Sequence, residues 1–269
     1  MDDLVRVARR AGEEILRWYG APGAVHVKED RTPLTEADRA AHRLLVRELP
    51  SIVPGVPVLS EESEGVERVD RLGWTRFWLV DPLDGTKEFL KGTGEFTVNV
   101  ALIEDGRPVV GVVHVPATGR TYRASPALGA QMADKDGPFR PIRSRPFPPD
   151  SPVLVASRDH SGPGVEALAR ALGPSVQFTS LGSSLKFCVV AEGRADLYLR
   201  DLHTMEWDTA AAQCIVERAG GAVYGLISGG LSVGVKLRYN KSTLENPPFL
   251  TVGDPSGAWR DMFGEGRGT

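Results

Sequence analysis

This sequence contains few cysteines, no long apolar run and no excess of positive charge. Each of these features argues against a class of protein. Only 2 of the 269 residues are cysteine. This favours buried thiols in a reducing compartment, although Cys188 and Cys214 could still pair. No apolar run is long enough to span a bilayer, so we expect no integral membrane segment. The net charge of −3 argues against binding of a nucleic acid polymer. An acidic ligand would therefore be held by local groups or by metal ions.

The motifs of several common enzyme classes are also missing. The sequence has no P-loop, no Gly-x-Ser-x-Gly nucleophile elbow and no glycine-rich dinucleotide fingerprint. Its histidines show no His-Glu-x-x-His spacing, which argues against a zinc hydrolase of that type. Residues 1–4, Met-Asp-Asp-Leu, lack the charged-then-apolar order of a signal peptide, so we expect a cytoplasmic protein.

The spacing of apolar residues predicts an α/β protein. An amphipathic helix is expected over residues 3–19, and a second helix should begin after the N-cap Thr35, with Asp38 completing a capping box, and end at Pro50. Further along, the pattern predicts strands at 153–157, 176–180, 195–199 and 221–224 and helices at 163–172, 183–191 and 208–219. This alternation indicates a layered α/β architecture.

A proline-rich stretch over residues 136–152 interrupts these patterns and predicts a loop or a junction between subdomains. We therefore expect an N-terminal α+β subdomain over residues 1–150 and a C-terminal α/β subdomain over residues 151–269.

Two carboxylates and a hydroxyl directly follow the apolar run at 77–80. We interpret the stretch Asp81-Pro82-Leu83-Asp84-Gly85-Thr86 as a tight loop, which Pro82 stiffens and Gly85 allows to bend. In such a loop both carboxylates and the Leu83 carbonyl can face one point. Hard oxygen ligands of this kind suit Mg²⁺. The amides of Gly85 and Thr86 can bind a phosphate at the start of the next helix.

Glu61, Asp208 and Asp38 are further acidic candidates, and each has an ordinary structural explanation. Two metal ions close together need bridging carboxylates, which Glu61 and Asp208 could help to supply. Glu61 could equally belong to a solvated charged edge. Asp208 and Asp38 could simply cap helices, and Asp84 could belong to an ordinary Asp-Gly turn. The residues alone leave these alternatives open.

Three segments together resemble the inositol monophosphatase and fructose bisphosphatase superfamily of metal-dependent, lithium-sensitive phosphatases. They are Glu61-Glu62-Ser63, the Asp81 to Thr86 stretch, and Trp207-Asp208-Thr209-Ala210-Ala211, in the order of that superfamily. Other segments resemble its 3′(2′),5′-bisphosphate nucleotidase branch, the CysQ type: Lys87-Glu88-Phe89, Gly94-Glu95-Phe96-Thr97-Val98-Asn99, Leu181-Gly182-Ser183-Ser184-Leu185-Lys186-Phe187-Cys188 and Tyr239-Asn240-Lys241. The resemblance implies a layered αβαβα sandwich.

The resemblance also implies a site for two to three Mg²⁺ ions, most of whose ligands fall in the N-terminal subdomain. Glu61, Asp81 and the Leu83 carbonyl would hold one ion. Asp81, Asp84 and Asp208 would hold a second ion, and a third, weaker ion would use Glu61 and water.

By the same resemblance, metal-activated water would attack the phosphorus atom in line. Thr86, oriented by Asp38, would accept a hydrogen bond from that water and aim it, so Asp38, Thr86 and Glu61 are the predicted catalytic residues. The predicted substrate contacts are Gly85, Thr86, Ser183, Lys186, Arg200 and Asp208. Of these, Ser183, Lys186 and Arg200 would hold a second phosphate, although Lys186 and Arg200 could instead be surface ion-pair residues.

The implied activity is removal of the 3′-phosphate from adenosine 3′,5′-bisphosphate, a by-product of sulfate activation, to give AMP and phosphate. The alternative is the same metal chemistry on inositol monophosphate or fructose 1,6-bisphosphate. We expect a monomer or a homodimer.

Overall fold

The structure is a computed structural model that describes residues 1–21, 26–27, 33–63, 70–156, 162–227, 232–257 and 259–262. The helices are α1 (Asp2–Leu16), α2 (Glu36–Ile52), α3 (Thr86–Lys91), α4 (Pro163–Leu172), α5 (Leu185–Ala191), α6 (Glu206–Ala219) and α7 (Trp259–Met262), with a 3₁₀ turn at Arg71–Gly73. Within the described ranges, no helix combines the length and the apolar character needed to cross a membrane.

The strands form two large sheets and two small ribbons. The strands of the first sheet are β3 (Val58–Ser60), β4 (Arg76–Asp84), β5 (Thr97–Glu104), β6 (Arg107–Val115), β7 (Arg120–Ser125), β8 (Gly129–Ala133) and β9 (Arg140–Pro141). Those of the second are β10 (Val153–Ala156), β11 (Gln177–Ser180), β12 (Leu197–Arg200), β14 (Ala222–Leu226), β15 (Val233–Lys236) and β17 (Phe249–Val252). The first, seven-stranded sheet has the order β3-β4-β5-β6-β7-β8-β9, and the second, six-stranded sheet has the order β11-β10-β12-β17-β14-β15. The ribbons pair β1 (His26–Val27) with β2 (Pro33–Leu34) and β13 (Thr204–Met205) with β16 (Glu245–Asn246).

Five layers result because the central strands carry apolar side chains on both faces. On β4, Trp78 and Val80 pack with α1 and α2, whereas Phe77 and Leu79 pack on the opposite face with α5 and α6. Side chains of the second sheet share that inner core, and α4 and α7 cover its outer face. The order is therefore helices, sheet, helices, sheet, helices, which confirms the predicted αβαβα sandwich.

The start of α2 confirms the predicted capping box. The Thr35 hydroxyl accepts hydrogen bonds from the amides of Ala37 (3.2 Å) and Asp38 (3.4 Å), and the Asp38 carboxylate accepts one from the Thr35 amide (2.7 Å). The prediction that Pro50 ends this helix is wrong, because α2 continues to Ile52. Pro50 stands in the last turn, where its missing N–H removes only one helical bond.

Further features of the sequence can be compared with the fold. The Asp105-Gly106 hairpin is present, with both residues at positive φ (48° and 72°) between β5 and β6. The short strands β7, β8 and β17 were not predicted, although β17 lies at the centre of the second sheet. Cys188 and Cys214 are both free and buried, as the favoured interpretation expected. The two sheets lie on either side of residue 150, but the division into subdomains stays a prediction.

Candidate active site

A cleft of about 430 Å³ opens where the end of β4 faces the second sheet. Its lining includes three acidic residues, three basic residues and three aromatic rings, together with part of the segment before α6. These residues are Asp84, Glu88, Asp208, Lys87, Lys186, Arg200, Phe187, Tyr198, Phe249, Leu202, His203 and Thr204. We call the part of the cleft around Asp84 and Asp208 its acidic end, and the part around Lys186 and Arg200 its basic end.

The stretch from Asp81 to Asp84 is not the tight loop that the sequence predicted, but the bulged end of β4. Asp81 lies opposite Asn99 and Asp84 lies opposite Thr97, so three steps along β4 match two steps along β5. The extra residue is a β-bulge, which redirects side chains at a strand end. Asp81 is buried (1% exposed), and its Oδ1 accepts a hydrogen bond from the Leu83 amide at 3.0 Å.

Asp208 reaches the same region from α6. The structure places it third in that helix, which begins at Glu206, so it is not the N-cap residue that one interpretation allowed. Its Oδ2 accepts a hydrogen bond from the Met205 amide at 2.8 Å, so it caps the helix from inside the first turn. Glu61 arrives from the end of β3, where its amide donates to the Val80 carbonyl at 3.0 Å.

The carboxylates of this region disfavour one another's ionisation. Burial raises the pKa of Asp81 well above its usual range, and the charges of Glu61, Asp84 and Asp208 raise it further. Burial and then the charges of Asp84 and Glu61 likewise raise the pKa of Asp208. Burial also raises the pKa of Asp38 to about 6, with smaller contributions from Glu62 and Glu61.

This donor set fits a divalent cation. Mutual repulsion of buried carboxylates is what a bound cation relieves. Among the described residues, no group of three or more histidine, cysteine or acidic side chains is arranged so that it could hold a metal ion by itself. Mg²⁺ does not require such a cage, since it is usually bound by one or two carboxylates together with water and substrate phosphate.

Asp38 and Thr86 do not form the predicted pair in this structure. Asp38 Oδ2 accepts hydrogen bonds from the amide and the hydroxyl of Thr35, at 2.7 and 2.5 Å. The Thr86 hydroxyl donates to the Leu83 carbonyl at 3.3 Å. The capping function of Asp38 is therefore confirmed, whereas the hydrogen bond to Thr86 and the catalytic roles of both residues stay predictions.

The basic end is built from side chains of α5 and β12. Lys186 is buried (6% exposed), which rules out the interpretation that it is a surface ion-pair residue. Burial lowers its pKa to about 8, although the nearby Asp84 carboxylate acts in the opposite direction. Its ammonium group donates to the Ser183 carbonyl at 2.8 Å. Arg200 has a buried Nε with no hydrogen-bond partner among the described residues.

Residues 201–203 connect the basic end to the start of α6. The Asp201 carboxylate accepts a hydrogen bond from the Gly164 amide at 2.8 Å and so contacts the start of α4. His203 lines the cleft and pairs with Glu245 at 3.0 Å. Leu202 lines the cleft while remaining 39% exposed. This segment thus forms one wall of the cleft.

Sequence reasoning missed Glu206, a fully buried carboxylate that holds the segment around residue 240 against the start of α6. Its oxygens accept hydrogen bonds from the amides of Asn240 (2.6 Å) and Lys241 (2.9 Å) and from the Lys241 ammonium (2.7 Å). The available signal was Tyr239-Asn240-Lys241, which was noted as a resemblance without an assigned role. Glu206 stands two residues before Asp208, so this network supports the acidic end.

Sequence reasoning also gave no role to Thr97 and Asn99, two polar residues in the mostly apolar strand β5, although both fall in a segment that was noted as a resemblance. Both are buried and lie beside Asp84. The available signal was their position in a strand that buries both of its faces, since a buried polar side chain needs a partner.

Comparison with known proteins gives a consistent result. The model of the inositol monophosphatase family matches residues 2–247. The 3′(2′),5′-bisphosphate nucleotidase CysQ of Escherichia coli (strain K12) is 45% identical over 226 residues, which cover 83% of this chain and 89% of that protein.

Solved structures agree. The crystal structure of CysQ from Bacteroides thetaiotaomicron matches with a TM-score of 0.80 at 39% identity and covers 95% of this chain and 98% of that chain. An IMPase from Thermotoga maritima matches with a TM-score of 0.72 at 25% identity, over 94% and 92% of the two chains. These findings confirm the resemblance drawn from the motifs: the chain belongs to the inositol monophosphatase family.

Proposed function

We propose that this protein is a Mg²⁺-dependent phosphoric monoester hydrolase that removes the 3′-phosphate of adenosine 3′,5′-bisphosphate, releasing AMP and phosphate. The observation that carries the proposal is that one cleft is lined both by the carboxylates of Asp84 and Asp208 and by two cationic side chains, the buried Lys186 and the partly buried Arg200. A substrate with two phosphates matches this arrangement. The activity named for the CysQ relatives supports the same substrate class.

The acidic end would hold two to three Mg²⁺ ions through Glu61, Asp81, Asp84, Asp208 and the Leu83 carbonyl. Mg²⁺ bound there would lower the pKa of water and neutralise charge on the phosphoryl group. Burial, followed by the charges of the neighbouring carboxylates, raises the pKa of Asp81 and of Asp208. A bound cation would offset both effects, which supports a preference of the site for positive charge.

The chain's own groups would position the reacting phosphate beside these carboxylates. Gly85 adopts a left-handed backbone conformation (φ 90°) and opens α3, so its amide and that of Thr86 are available to phosphate oxygens. A Cβ at position 85 would lie 3.1 Å from the Glu95 carbonyl oxygen and 3.2 Å from Ser183 Cβ, so glycine is needed for this close approach. The Thr86 hydroxyl is adjacent and would aim the attacking water once its bond to the Leu83 carbonyl exchanges.

The basic end would hold the second phosphate. Arg200 is the main candidate, because its Nε is buried without a partner among the described residues and guanidinium groups bind phosphate oxygens through parallel N–H donors. Lys186 and Ser183 line the same part of the cleft and would complete the subsite. The cytoplasmic location and the monomeric or homodimeric state stay predictions.

The decisive experiment is phosphate release from adenosine 3′,5′-bisphosphate, inositol monophosphate and fructose 1,6-bisphosphate, assayed in parallel with Mg²⁺, with and without Li⁺. We expect the nucleotide to give the highest kcat/KM and Li⁺ to inhibit its hydrolysis. If inositol monophosphate or fructose 1,6-bisphosphate is hydrolysed at least as efficiently, the substrate assignment is wrong. Absence of Mg²⁺-dependent phosphate release from all three would refute the phosphatase proposal itself.

A further inference from the structure

The carboxylate of Asp84 is bound on one side only. Its Oδ2 accepts a hydrogen bond from the Ser184 amide at 2.5 Å and one from Asn99 Nδ2 at 3.3 Å, and the Thr97 hydroxyl lies 3.5 Å away. No described residue donates a hydrogen bond to Oδ1. One oxygen is therefore held by the protein, and the other remains available for a ligand in the cleft.

The three neighbours of Oδ2 are hydrogen-bonded to one another, and their protons can be followed one by one. The Ser184 hydroxyl donates to Asn99 Oδ1 at 2.8 Å, which leaves the Asn99 amide nitrogen facing Asp84. Because the single Ser184 hydroxyl proton is used in this way, its oxygen accepts the Thr97 hydroxyl proton at 2.9 Å. The chain of donors therefore runs from Thr97 to Ser184 to Asn99 and ends at Asp84.

This chain of donors is shielded from water and has a fixed direction. Thr97, Asn99 and Ser184 are 0%, 1% and 1% exposed. In such an environment a misoriented amide would leave buried donors and acceptors unsatisfied, so the network selects one orientation of Asn99. The same amide orientation is the one that presents Nδ2 to Asp84.

The network also joins the two halves of the molecule. Thr97 and Asn99 belong to β5 of the seven-stranded sheet, whereas Ser184 stands immediately before α5. Ser184 follows Ser183, whose φ of 47° is uncommon for a residue other than glycine, and the Lys186 ammonium secures this turn by donating to the Ser183 carbonyl. The turn that carries Lys186 at the basic end thus also delivers the Ser184 amide to Asp84 at the acidic end.

We propose that Thr97, Asn99 and Ser184 are positioning residues, which hold Oδ2 of Asp84 and thereby leave Oδ1 oriented for a divalent cation. The inference rests on the proposed metal-dependent function and deepens it. Hydrogen-bonded partners of metal-binding carboxylates fix ligand orientation, and their loss typically weakens metal binding about 10- to 100-fold.

The test measures Mg²⁺ binding directly, by isothermal titration calorimetry of the full-length protein without substrate. Asn99→Leu removes the donor to Asp84 with a side chain of similar shape, and we expect a Mg²⁺ dissociation constant about 10- to 100-fold higher. Thr97→Val removes only the hydroxyl that starts the donor chain, and we expect a smaller increase, about 2- to 10-fold. Thr97→Ser retains the hydroxyl and should restore nearly wild-type affinity.

Thr251→Val provides the matched control. Thr251 is fully buried in β17, and its hydroxyl has no hydrogen-bond partner among the described residues. Removing this hydroxyl should leave Mg²⁺ affinity unchanged, although the substitution is chemically identical to Thr97→Val. Urea denaturation of each apo variant would verify that the proteins compared are folded.

The outcomes separate this inference from the proposed function. If the wild-type protein binds Mg²⁺ and both Asn99→Leu and Thr97→Val bind it with unchanged affinity, the positioning role is refuted and the phosphatase proposal stands. If Thr97→Ser is as impaired as Thr97→Val, the hydroxyl is not responsible and the donor chain is refuted. If the affinities change as expected but no phosphate ester is hydrolysed, the positioning role is supported and the proposed function fails.

Discussion

The acidic and basic ends of the cleft are built in different ways. At the acidic end, Asp81, Asp84 and Asp208 each have one carboxylate oxygen held by a backbone amide, from Leu83, Ser184 and Met205 respectively. At the basic end, the described residues leave the buried Nε of Arg200 without a partner. The comparison indicates that backbone amides hold one oxygen of each carboxylate at the acidic end, whereas at the basic end Arg200 keeps a buried donor available for a ligand.

The largest expected effect tests whether the acidic end is needed for every substrate. Asp84→Asn should lower kcat/KM about 1000-fold for both bisphosphate and monophosphate substrates, which corresponds to about 4 kcal/mol. The loss should exceed the 10- to 100-fold typical of an outer-sphere partner, because Asp84 is a proposed direct ligand. Steady-state phosphate release measures the effect.

Asp136→Asn is the control, because Asp136 is fully exposed in its ion pair with Arg9. This variant should retain full activity. Retention of more than a tenth of wild-type activity by folded Asp84→Asn would contradict its assignment as a metal ligand.

The next effect concerns the scaffold behind the acidic end. Glu206→Gln should lower the free energy of unfolding by about 2–3 kcal/mol, because it leaves the Lys241 ammonium and two backbone amides without their buried carboxylate. Urea denaturation measures it. Glu245→Gln, which removes a half-exposed partner of His203, should cost less than about 1 kcal/mol. Equal effects of the two substitutions would show that the buried network does not support α6.

The basic end should discriminate between substrates where the acidic end does not. Arg200→Ala should raise KM for adenosine 3′,5′-bisphosphate about 10- to 100-fold, the range expected for a lost hydrogen bond to a charged group. The KM for a monophosphate should change far less. Arg170→Ala, at an exposed position on α4, is the matched control. An equal rise in KM for both substrates would remove Arg200 from the second-phosphate subsite.

The smallest expected effect is a change of stability with pH. It concerns His114, a residue of β6 outside the cleft. Burial, followed by the charge of Arg9, lowers the pKa of His114 from 6.5 to about 4. The unfolded chain therefore binds a proton at this residue more readily than the folded protein, so this contribution to stability is present at neutral pH and is lost as the pH falls from about 6.5 towards 4. Between pH 7 and 5.5 the loss should be about 1 kcal/mol.

Urea denaturation of the wild type and of His114→Gln at both pH values isolates this residue, because other groups contribute equally to both proteins. If the free energies of unfolding of the wild type and of His114→Gln change in parallel with pH, the assignment of this pH dependence to His114 is wrong. Activity assays at the same pH values would verify that the effect is separate from the cleft.

Much of the fold could be predicted because its signals are local. The apolar spacing of α1, the capping box of Thr35 and Asp38 and the Asp105-Gly106 turn each lie within a few residues of one another. Strands β7 and β17 escaped prediction because the tendency of a segment to form a strand depends on the strands beside it rather than on its own residues alone. Pro50 misled the prediction because its bias against a helical conformation at the preceding residue is only a tendency, and that residue, Leu49, is fully buried in the helix packing.

The same distinction applies to the site. The bulge at Asp81 and Asp84 depends on the register between β4 and β5, which no local motif reveals. The motif nevertheless drew attention to Asp81 and Asp84, because their spacing along the chain is itself a chemical signal; their role as metal ligands stays a prediction. Asn99 was overlooked because its partners, Asp84 and Ser184, lie elsewhere in the chain.

By itself, the sequence determined the order of the helices and strands along the chain and the acidic residues that are candidate metal ligands. This is possible because side-chain periodicity and short motifs act over a few residues. Only the tertiary structure decided which groups meet. Ser184 lies 100 residues from Asp84 along the chain, yet its amide is held against that carboxylate. Such contacts depend on strand register and on how α5 and the second sheet pack against the first, and these arise from the whole core.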